Sequence, residues 1–130
     1  MLKIEQLNAW YGRSHILQGV NLKVEAGEVV CMIGRNGAGK TTTLRSVMGL
    51  VGRIDGHVLF DGHDISKEPV HRRFAYGLAY VPEERRIVPG LSVQENLRLG
   101  LVGSTNRTRE AEMIDRIAET FPRLRERLSQ

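Results

Sequence analysis

The sequence has 130 residues, of which 41% are apolar and 26% are charged, proportions typical of a folded globular chain rather than a disordered or fibrous one. Its net charge of +4 is modest, aromatic residues make up 5% of the chain, and no basic run reaches five residues. The basic stripe with stacking aromatics that characterises nucleic-acid binders is therefore missing, and we predict no nucleic-acid partner. The longest apolar run covers only residues 29–33, whereas a membrane-spanning helix needs about 20 apolar residues.

Two features favour a cytoplasmic location. The N-terminus has no apolar segment of the kind found in signal peptides, and the single cysteine, Cys31, has no partner for an internal disulfide. Because Cys31 lies within an apolar run, we expect it to be a small buried side chain rather than a reactive thiol.

The first half of the chain alternates between strand and helix patterns. Residues 2–8 and 16–24 alternate apolar and polar side chains, which predicts two antiparallel strands with one solvated face. The apolar run 29–33 predicts a strand covered on both faces in a parallel sheet. After Lys40 the apolar spacing becomes helical, and the stripe is expected to pack on the sheet until Gly49 and Gly52 end the helix. The stripe consists of Leu44, Val47, Met48 and Val51.

Further elements follow in the second half. We predict a strand over 57–60 closed by Asp61-Gly62, a short helix over 70–75 and a strand over 78–81 stopped by Pro82. The predicted fold class is therefore α/β.

Two helices are predicted near the end of the chain. Ser92 to Glu95 has capping-box spacing and opens a helix to about Leu101. A loop over 103–106 leads to a last helix over 108–120. One apolar face of that helix is formed by Ile114, Ile117, Ala118 and Phe121. Pro122 either interrupts this helix or starts the next one.

One motif carries chemistry. The segment Gly34-Arg35-Asn36-Gly37-Ala38-Gly39-Lys40-Thr41 matches the Walker A pattern, between an apolar strand and an amphipathic helix. The glycines remove Cβ atoms, so that backbone N–H groups can surround phosphates together with the N-terminus of the helix. Lys40 would reach the β and γ phosphates, the Thr41 hydroxyl would bind Mg²⁺, and Thr42 would donate to the α phosphate.

The motif leaves alternatives open. A glycine-rich loop can simply cap an ordinary helix, and kinases, GTPases, helicases and transporter ATPases all contain a Walker A. The guanine-selective Asn-Lys-x-Asp motif is absent from the sequence, which disfavours a GTPase.

Other segments resemble one particular family. Residues 36–42 read Asn-Gly-Ala-Gly-Lys-Thr-Thr, Tyr11-Gly12 lies upstream and Tyr80-Val81-Pro82-Glu83 lies downstream; together they resemble the nucleotide-binding subunits of ABC transporters. The segments 92–97 and 121–124 are similar to the branch that imports branched-chain amino acids and related amides or urea.

The resemblance covers the whole chain and implies its organisation. It implies a P-loop NTPase fold, with an N-terminal antiparallel β subdomain, a RecA-like parallel core and the start of a helical subdomain. Residues 1–90 would form the β subdomain and P-loop core, and 91–130 the start of the helical subdomain.

The resemblance also implies roles for individual residues. Tyr11 would stack on adenine, although Trp10 is a competing stacker and Tyr11 can equally be a half-buried strand residue. Lys40 and Glu83 would act at the γ phosphate, and Glu83 would reach Mg²⁺ through water at a position where the family usually has Gln. The nucleotide-binding residues implied by the resemblance are Tyr11, Gly34, Asn36, Gly37, Ala38, Gly39, Lys40, Thr41 and Thr42, with Thr41 also a Mg²⁺ ligand.

The implied function is Mg-ATP binding within the ATPase subunit of a bacterial importer. Such a subunit works as a head-to-tail dimer with a second ATPase subunit, on the inner face of the membrane. Its partners are membrane permeases and, indirectly, a periplasmic solute-binding protein. The family's LSGGQ signature, Walker B strand and switch His do not occur in these 130 residues, so we expect this chain to bind ATP without hydrolysing it. A non-catalytic nucleotide-binding module is the alternative.

Overall fold

The computed structural model describes residues 1–84, 86–101 and 107–130, with the backbone alone at 107–109. The predicted loop over 103–106 lies outside the described residues. The chain divides into two compact units, Met1–Val81 and Pro82–Gln130.

The first unit is built on a four-stranded antiparallel sheet. Its strands are β1 (Leu2–Tyr11), β2 (Ser14–Val24), β3 (Arg53–Phe60) and β4 (His63–Asp64), in the order β2-β1-β3-β4. The two predicted N-terminal strands are confirmed, as is the turn at Asp61-Gly62. Both turn residues have positive φ, 47° and 81°, as a two-residue type I′ hairpin requires.

A bulge in β1 decides which side chains enter the core. Ile4 and Leu7 are both buried, although residues three apart on a regular strand point to opposite faces. Gln6 has a φ of 48°, and the register between β1 and β3 shifts between Glu5 and Asn8. This extra residue returns Leu7 to the core face, as bulges commonly do. Gly56 stands opposite, where a Cβ atom would lie 2.3 Å from the Gln6 carbonyl oxygen.

The helix α1 (Lys40–Val47) covers this core, but the face of the helix that packs on it differs from the predicted one. Its buried residues include Thr43, Ser46 and Val47, and Met48 and Val51 continue the core beyond its end. Leu44 is 47% exposed, so its place in the predicted stripe was wrong. Small polar residues supply most of the packing face of α1, and an apolar periodicity cannot reveal them.

The predictions of strands over 29–33 and 78–81 were wrong. Neither segment is hydrogen-bonded into the sheet, and Val29, Ile33 and Val81 are 96%, 92% and 90% exposed. Cys31 is exposed rather than buried. An apolar segment becomes a buried strand only when neighbouring strands satisfy its backbone, and no parallel neighbour occurs among the residues that the structure describes.

The second unit is helical. The predicted helix α2 (Val70–Ala75) is confirmed and closes the first unit; beyond it lie α3 (Val93–Leu99), α4 (Arg107–Thr120) and α5 (Pro122–Arg125). Pro122 therefore starts a new helix, at the position where proline is tolerated. On α4, Ile114 and Ala118 are buried as predicted, whereas Phe121 is 59% exposed because the helix ends before it.

The capping box that opens α3 is confirmed. Ser92 N donates to Glu95 Oε2 over 2.7 Å, and Glu95 N donates to Ser92 Oγ over 3.3 Å. The Ser92 hydroxyl and backbone N–H, which donate to the carboxylate, hold the pKa of Glu95 below its usual value. These reciprocal bonds satisfy N–H groups that a helix N-terminus would otherwise leave unpaired.

Candidate functional site

The loop over residues 34–39 leads directly into α1. Gly37 and Gly39 have φ values of 85° and 89°, in the left-handed region that favours glycine. A Cβ atom on Gly39 would lie 2.7 Å from Leu17 Cδ2, so a side chain here would force the tip of the buried Leu17 to move as well as strain the backbone. A Cβ atom built on Gly37 would have no neighbour within 4 Å, so at this position only the backbone conformation favours glycine.

The N-terminus of α1 is open. Its N-cap is Gly39, which makes no side-chain capping bond, and its first turn has no acidic residue. The first N–H groups of a helix have no partner within the helix and carry its partial positive charge. An anion placed at this end would thus meet backbone donors without displacing a carboxylate or a hydroxyl cap.

Lys40 folds back over the loop. Its Nζ donates to the carbonyl oxygens of Gly34, over 2.7 Å, and Arg35, over 2.8 Å. A cation is thereby held against the same turn that the glycines form. Two carbonyl dipoles balance its charge only in part, so a phosphate group, with a full negative charge, would be a stronger partner for the ammonium group.

The three threonines of α1 lie in different environments. Thr41 is exposed, whereas Thr42 and Thr43 are 8% and 4% exposed. Thr43 Oγ1 donates to the Gly39 carbonyl oxygen over 2.9 Å and so fixes the loop from within. Thr41 is accordingly the hydroxyl available to a ligand in solution, and the contact of Thr42 with an α phosphate stays a prediction.

The remaining loop residues are exposed. Asn36 and Ala38 are open to solvent, and Ala38 N donates to the Arg35 carbonyl oxygen over 3.1 Å, closing a turn. A Cβ atom on Gly34 would lie 3.2 Å from Ala38 Cβ, so a side chain at Gly34 would crowd the same turn.

The two candidate stacking residues differ sharply. Trp10 already stacks on His15, with ring centroids 4.4 Å apart and an interplanar angle of 9°, and the Arg53 guanidinium lies 4.5 Å from its ring centroid. Tyr11 is 43% exposed. At Ala9 and Trp10 the pairing of β1 with β3 is regular, and successive residues of a strand point to opposite faces. Tyr11 therefore shares the face of Ala9, which packs in one core cluster with Val47 of α1. The contacts thus favour Tyr11 over Trp10 as a stacking surface.

Glu83 is exposed and belongs to the second unit, so its action at a γ phosphate stays a prediction. Within the described residues, no group of three or more His, Cys, Asp or Glu side chains could hold a metal ion.

A polar cavity of about 740 Å³ lies away from the loop. Its lining includes His57, Asp64 and Ser66. Ser66, through both its hydroxyl and its backbone N–H, and then His57 lower the pKa of Asp64 to about 2. These groups already bond to one another, so the cavity has a structural explanation, and the loop remains the better candidate site.

The fold and the loop together define the class of the protein. A Walker A turn with left-handed glycines, a lysine folded over it and an uncapped helix N-terminus are the parts of a P-loop nucleotide-binding protein. The family model described as ABC transporter matches residues 17–129, and the chain belongs to this family.

Individual relatives agree with this assignment. The chain is 35% identical, over all of its 130 residues, to the high-affinity branched-chain amino acid transport ATP-binding protein BraG of Pseudomonas aeruginosa, and covers 55% of it. It is 45% identical over 89 residues to the lipopolysaccharide export system ATP-binding protein LptB of Escherichia coli K12, with 68% of this chain and 36% of LptB covered.

A solved structure, described as the ATP-binding subunit of an ABC transporter, matches 99% of the chain with a TM-score of 0.84 at 30% identity, and 53% of that subunit is covered. The α/β P-loop fold class is thus confirmed. The chain spans about half the length of BraG and of this subunit, and less of LptB. In the described part of the chain, no helix is long and apolar enough to cross a membrane.

Proposed function

We propose that this chain binds Mg-ATP through residues 34–42 and Tyr11, as part of the ATPase subunit of an ABC importer. The observation that carries the proposal is Lys40, whose ammonium group lies over the loop within 2.8 Å of two carbonyl oxygens. A triphosphate entering the loop would exchange these neutral acceptors for charged ones, which makes stronger hydrogen bonds.

Each residue then has a defined task. The N–H groups around Gly37 and Gly39 surround the β phosphate, Lys40 bonds to the β and γ phosphates, and the exposed Thr41 hydroxyl completes the shell of Mg²⁺. Tyr11 covers one face of the adenine ring. Thr42 bonds to the α phosphate, and Glu83 reaches Mg²⁺ through water.

In the whole protein, ATP hydrolysis would drive solute uptake. The subunit would pair head to tail with a second ATPase subunit on the inner face of the cell membrane, contact membrane permeases and serve a periplasmic binding protein indirectly. Branched-chain amino acids, or related amides or urea, are the proposed solutes, because BraG is similar over the full chain. The chain alone would bind ATP without turnover.

The similarity to LptB favours a second candidate, in which the same ATP site drives export of a lipid. Uptake of labelled leucine by cells that lack the gene would separate the two candidates. A loss of uptake restored by the wild-type gene supports the importer, and unchanged uptake of leucine, amides and urea contradicts it.

Titration calorimetry with Mg-ATP tests the binding proposal. A Lys40→Ala variant should bind at least tenfold more weakly, since a charge-assisted contact contributes about 1.5–3 kcal/mol. The matched control is Lys67→Ala, which removes the same charge from an exposed residue outside the loop and should leave the affinity unchanged. Equal binding by Lys40→Ala and wild type would refute the proposal. Turnover that depends on Lys40 would overturn the expected inactivity of the chain.

A further inference from the structure

Trp10 is the middle member of a row of three side chains, His15, Trp10 and Arg53, which lie side by side on three neighbouring strands. His15 on β2 and Arg53 on β3 are both its direct register partners, and β1 runs between those strands. The two partners therefore approach the indole from its two sides, one as a stacked ring and the other as a cation.

The row is fixed by hydrogen bonds as well as by stacking. His15 Nε2 lies 3.0 Å from Asn8 Oδ1, and this oxygen also accepts a bond from Gly19 N over 3.1 Å. Because Asn8 Oδ1 acts as an acceptor here, His15 Nε2 carries the proton. The imidazole is thus held in one orientation against the indole.

The row lies directly beside the proposed adenine contact. Tyr11 follows Trp10 on the same strand and pairs with Ser14, the neighbour of His15. Tyr11 is the last residue of β1, where strand pairing ends and a backbone would otherwise fray. The contacts that hold Trp10 between β2 and β3 also hold the backbone from which Tyr11 projects.

We infer that His15 and Arg53 are positioning residues for adenine: they clamp Trp10 between them and so fix the strand end that presents Tyr11 to the base. This inference rests on the proposed ATP site. The clamp acts through Tyr11 alone, so it affects recognition of the base and leaves the phosphate contacts of the loop unchanged.

The test compares two ligands, Mg-ATP and Mg-tripolyphosphate, the second of which has no base. Stacking of a base on an aromatic side chain contributes about 1–3 kcal/mol, so Tyr11→Ala should weaken ATP binding about tenfold and leave tripolyphosphate binding unchanged. His15→Ala and Arg53→Ala should each weaken ATP alone by about threefold, in line with the strength of one stacking or cation–π contact. Combining His15→Ala with Tyr11→Ala should add no further loss.

Conservative variants and fluorescence separate positioning from general damage. His15→Phe keeps a flat ring and Arg53→Lys keeps a cation, so each should restore most of the ATP affinity. Trp10 is the only tryptophan in the chain; its emission should move to longer wavelength in His15→Ala, as the indole gains water, and return in His15→Phe. Arg72→Ala, on the exposed side of α2, is the matched control and should change neither ligand.

The outcomes distinguish the two proposals. If wild type binds no ATP, the proposed function fails and the inference fails with it. If wild type binds ATP but Tyr11→Ala has no effect, or His15→Ala and Arg53→Ala leave ATP binding intact, the positioning role is refuted while the ATP site stands. An equal loss for ATP and tripolyphosphate would show a purely structural role and also overturn the inference.

Discussion

The guanidinium group of Arg73 donates a 2.6 Å hydrogen bond to the backbone carbonyl oxygen of Val47, the last residue of α1. The same Nη1 atom donates to the Ser46 carbonyl oxygen over 3.0 Å, and Arg73 is only 2% exposed. Carbonyl groups at a helix C-terminus lack partners within the helix and attract cations. A buried arginine thus caps the helix that follows the glycine-rich loop over residues 34–39.

Removing this cap should destabilise the first unit. Arg73 also donates to the Glu68 and Ser66 carbonyl oxygens, so Arg73→Ala would leave several buried acceptors unpaired. We expect the free energy of unfolding to fall by about 3 kcal/mol, measured by urea denaturation. Arg72→Ala, its exposed neighbour, should change stability by less than about 0.5 kcal/mol; equal effects of the two variants would contradict the capping role.

Gly39→Ala should impair both stability and ATP binding. The new Cβ atom would meet Leu17 Cδ2 at 2.7 Å, and the backbone φ of 89° is strained for alanine. The denaturant midpoint of unfolding should fall. Adding Leu17→Ala removes the steric clash but not the strain of the positive φ, so the part of the loss that is due to backbone strain should remain. Gly37→Ala meets no neighbour and should cost only backbone strain, about 1–2 kcal/mol.

A control glycine completes this comparison. Gly52 has no positive φ and no atom within 4 Å of a built Cβ, so Gly52→Ala should be neutral or slightly stabilising. If all three alanine variants unfold alike in denaturant, the close approach of the loop to β2 is incorrect.

The free energy of unfolding should fall in acid as the Asp64 carboxylate becomes protonated. The pKa of its carboxyl group is lowered from 3.8 to about 2 by Ser66, first, and then by His57. Since the folded pKa lies below the unfolded one, this contribution is present above pH 4 and is lost as the pH falls toward 2. The carboxylate is 45% exposed, so water screening limits the contribution to about 1 kcal/mol.

Ser66→Ala provides the check, because it removes the hydroxyl that contributes most to the lowered pKa. A carboxyl titration by NMR should show the pKa of Asp64 rising toward 3.8, and the acid limb of the stability curve should move to higher pH. An unchanged titration of Asp64 would show that the Ser66 hydroxyl does not hold this carboxylate.

Alanine substitutions should show that the exposed apolar segment 29–33 contributes little to stability, whereas the core contributes much. Val58 is fully buried and Val29 is 96% exposed. Val58→Ala should lower the free energy of unfolding by about 2–3 kcal/mol, whereas Val29→Ala should change it by less than about 0.5 kcal/mol. A large loss in Val29→Ala would mean that residues 29–33 are buried after all, as the sequence alone suggested.

Sequence reasoning succeeded where neighbours along the chain decide the outcome. The two N-terminal strands, the Asp61-Gly62 turn, the capping box from Ser92 to Glu95 and the Walker A loop all depend on sterics and hydrogen bonds within a few residues. Such short-range interactions can be recognised from the sequence, which is why the fold class and the candidate loop could be predicted from the 130 residues alone.

Only the tertiary structure decided which candidates are available. Trp10 and Tyr11 are equivalent aromatic residues in the sequence, and they differ because β2 and β3 bring His15 and Arg53 to Trp10. The sequence gives no sign that Arg73 caps a helix, because its acceptors Ser46 and Val47 lie 27 and 26 positions away. An apolar run such as 29–33 becomes a buried strand only through distant partners, and pairing between residues far apart in the chain is what local patterns cannot specify.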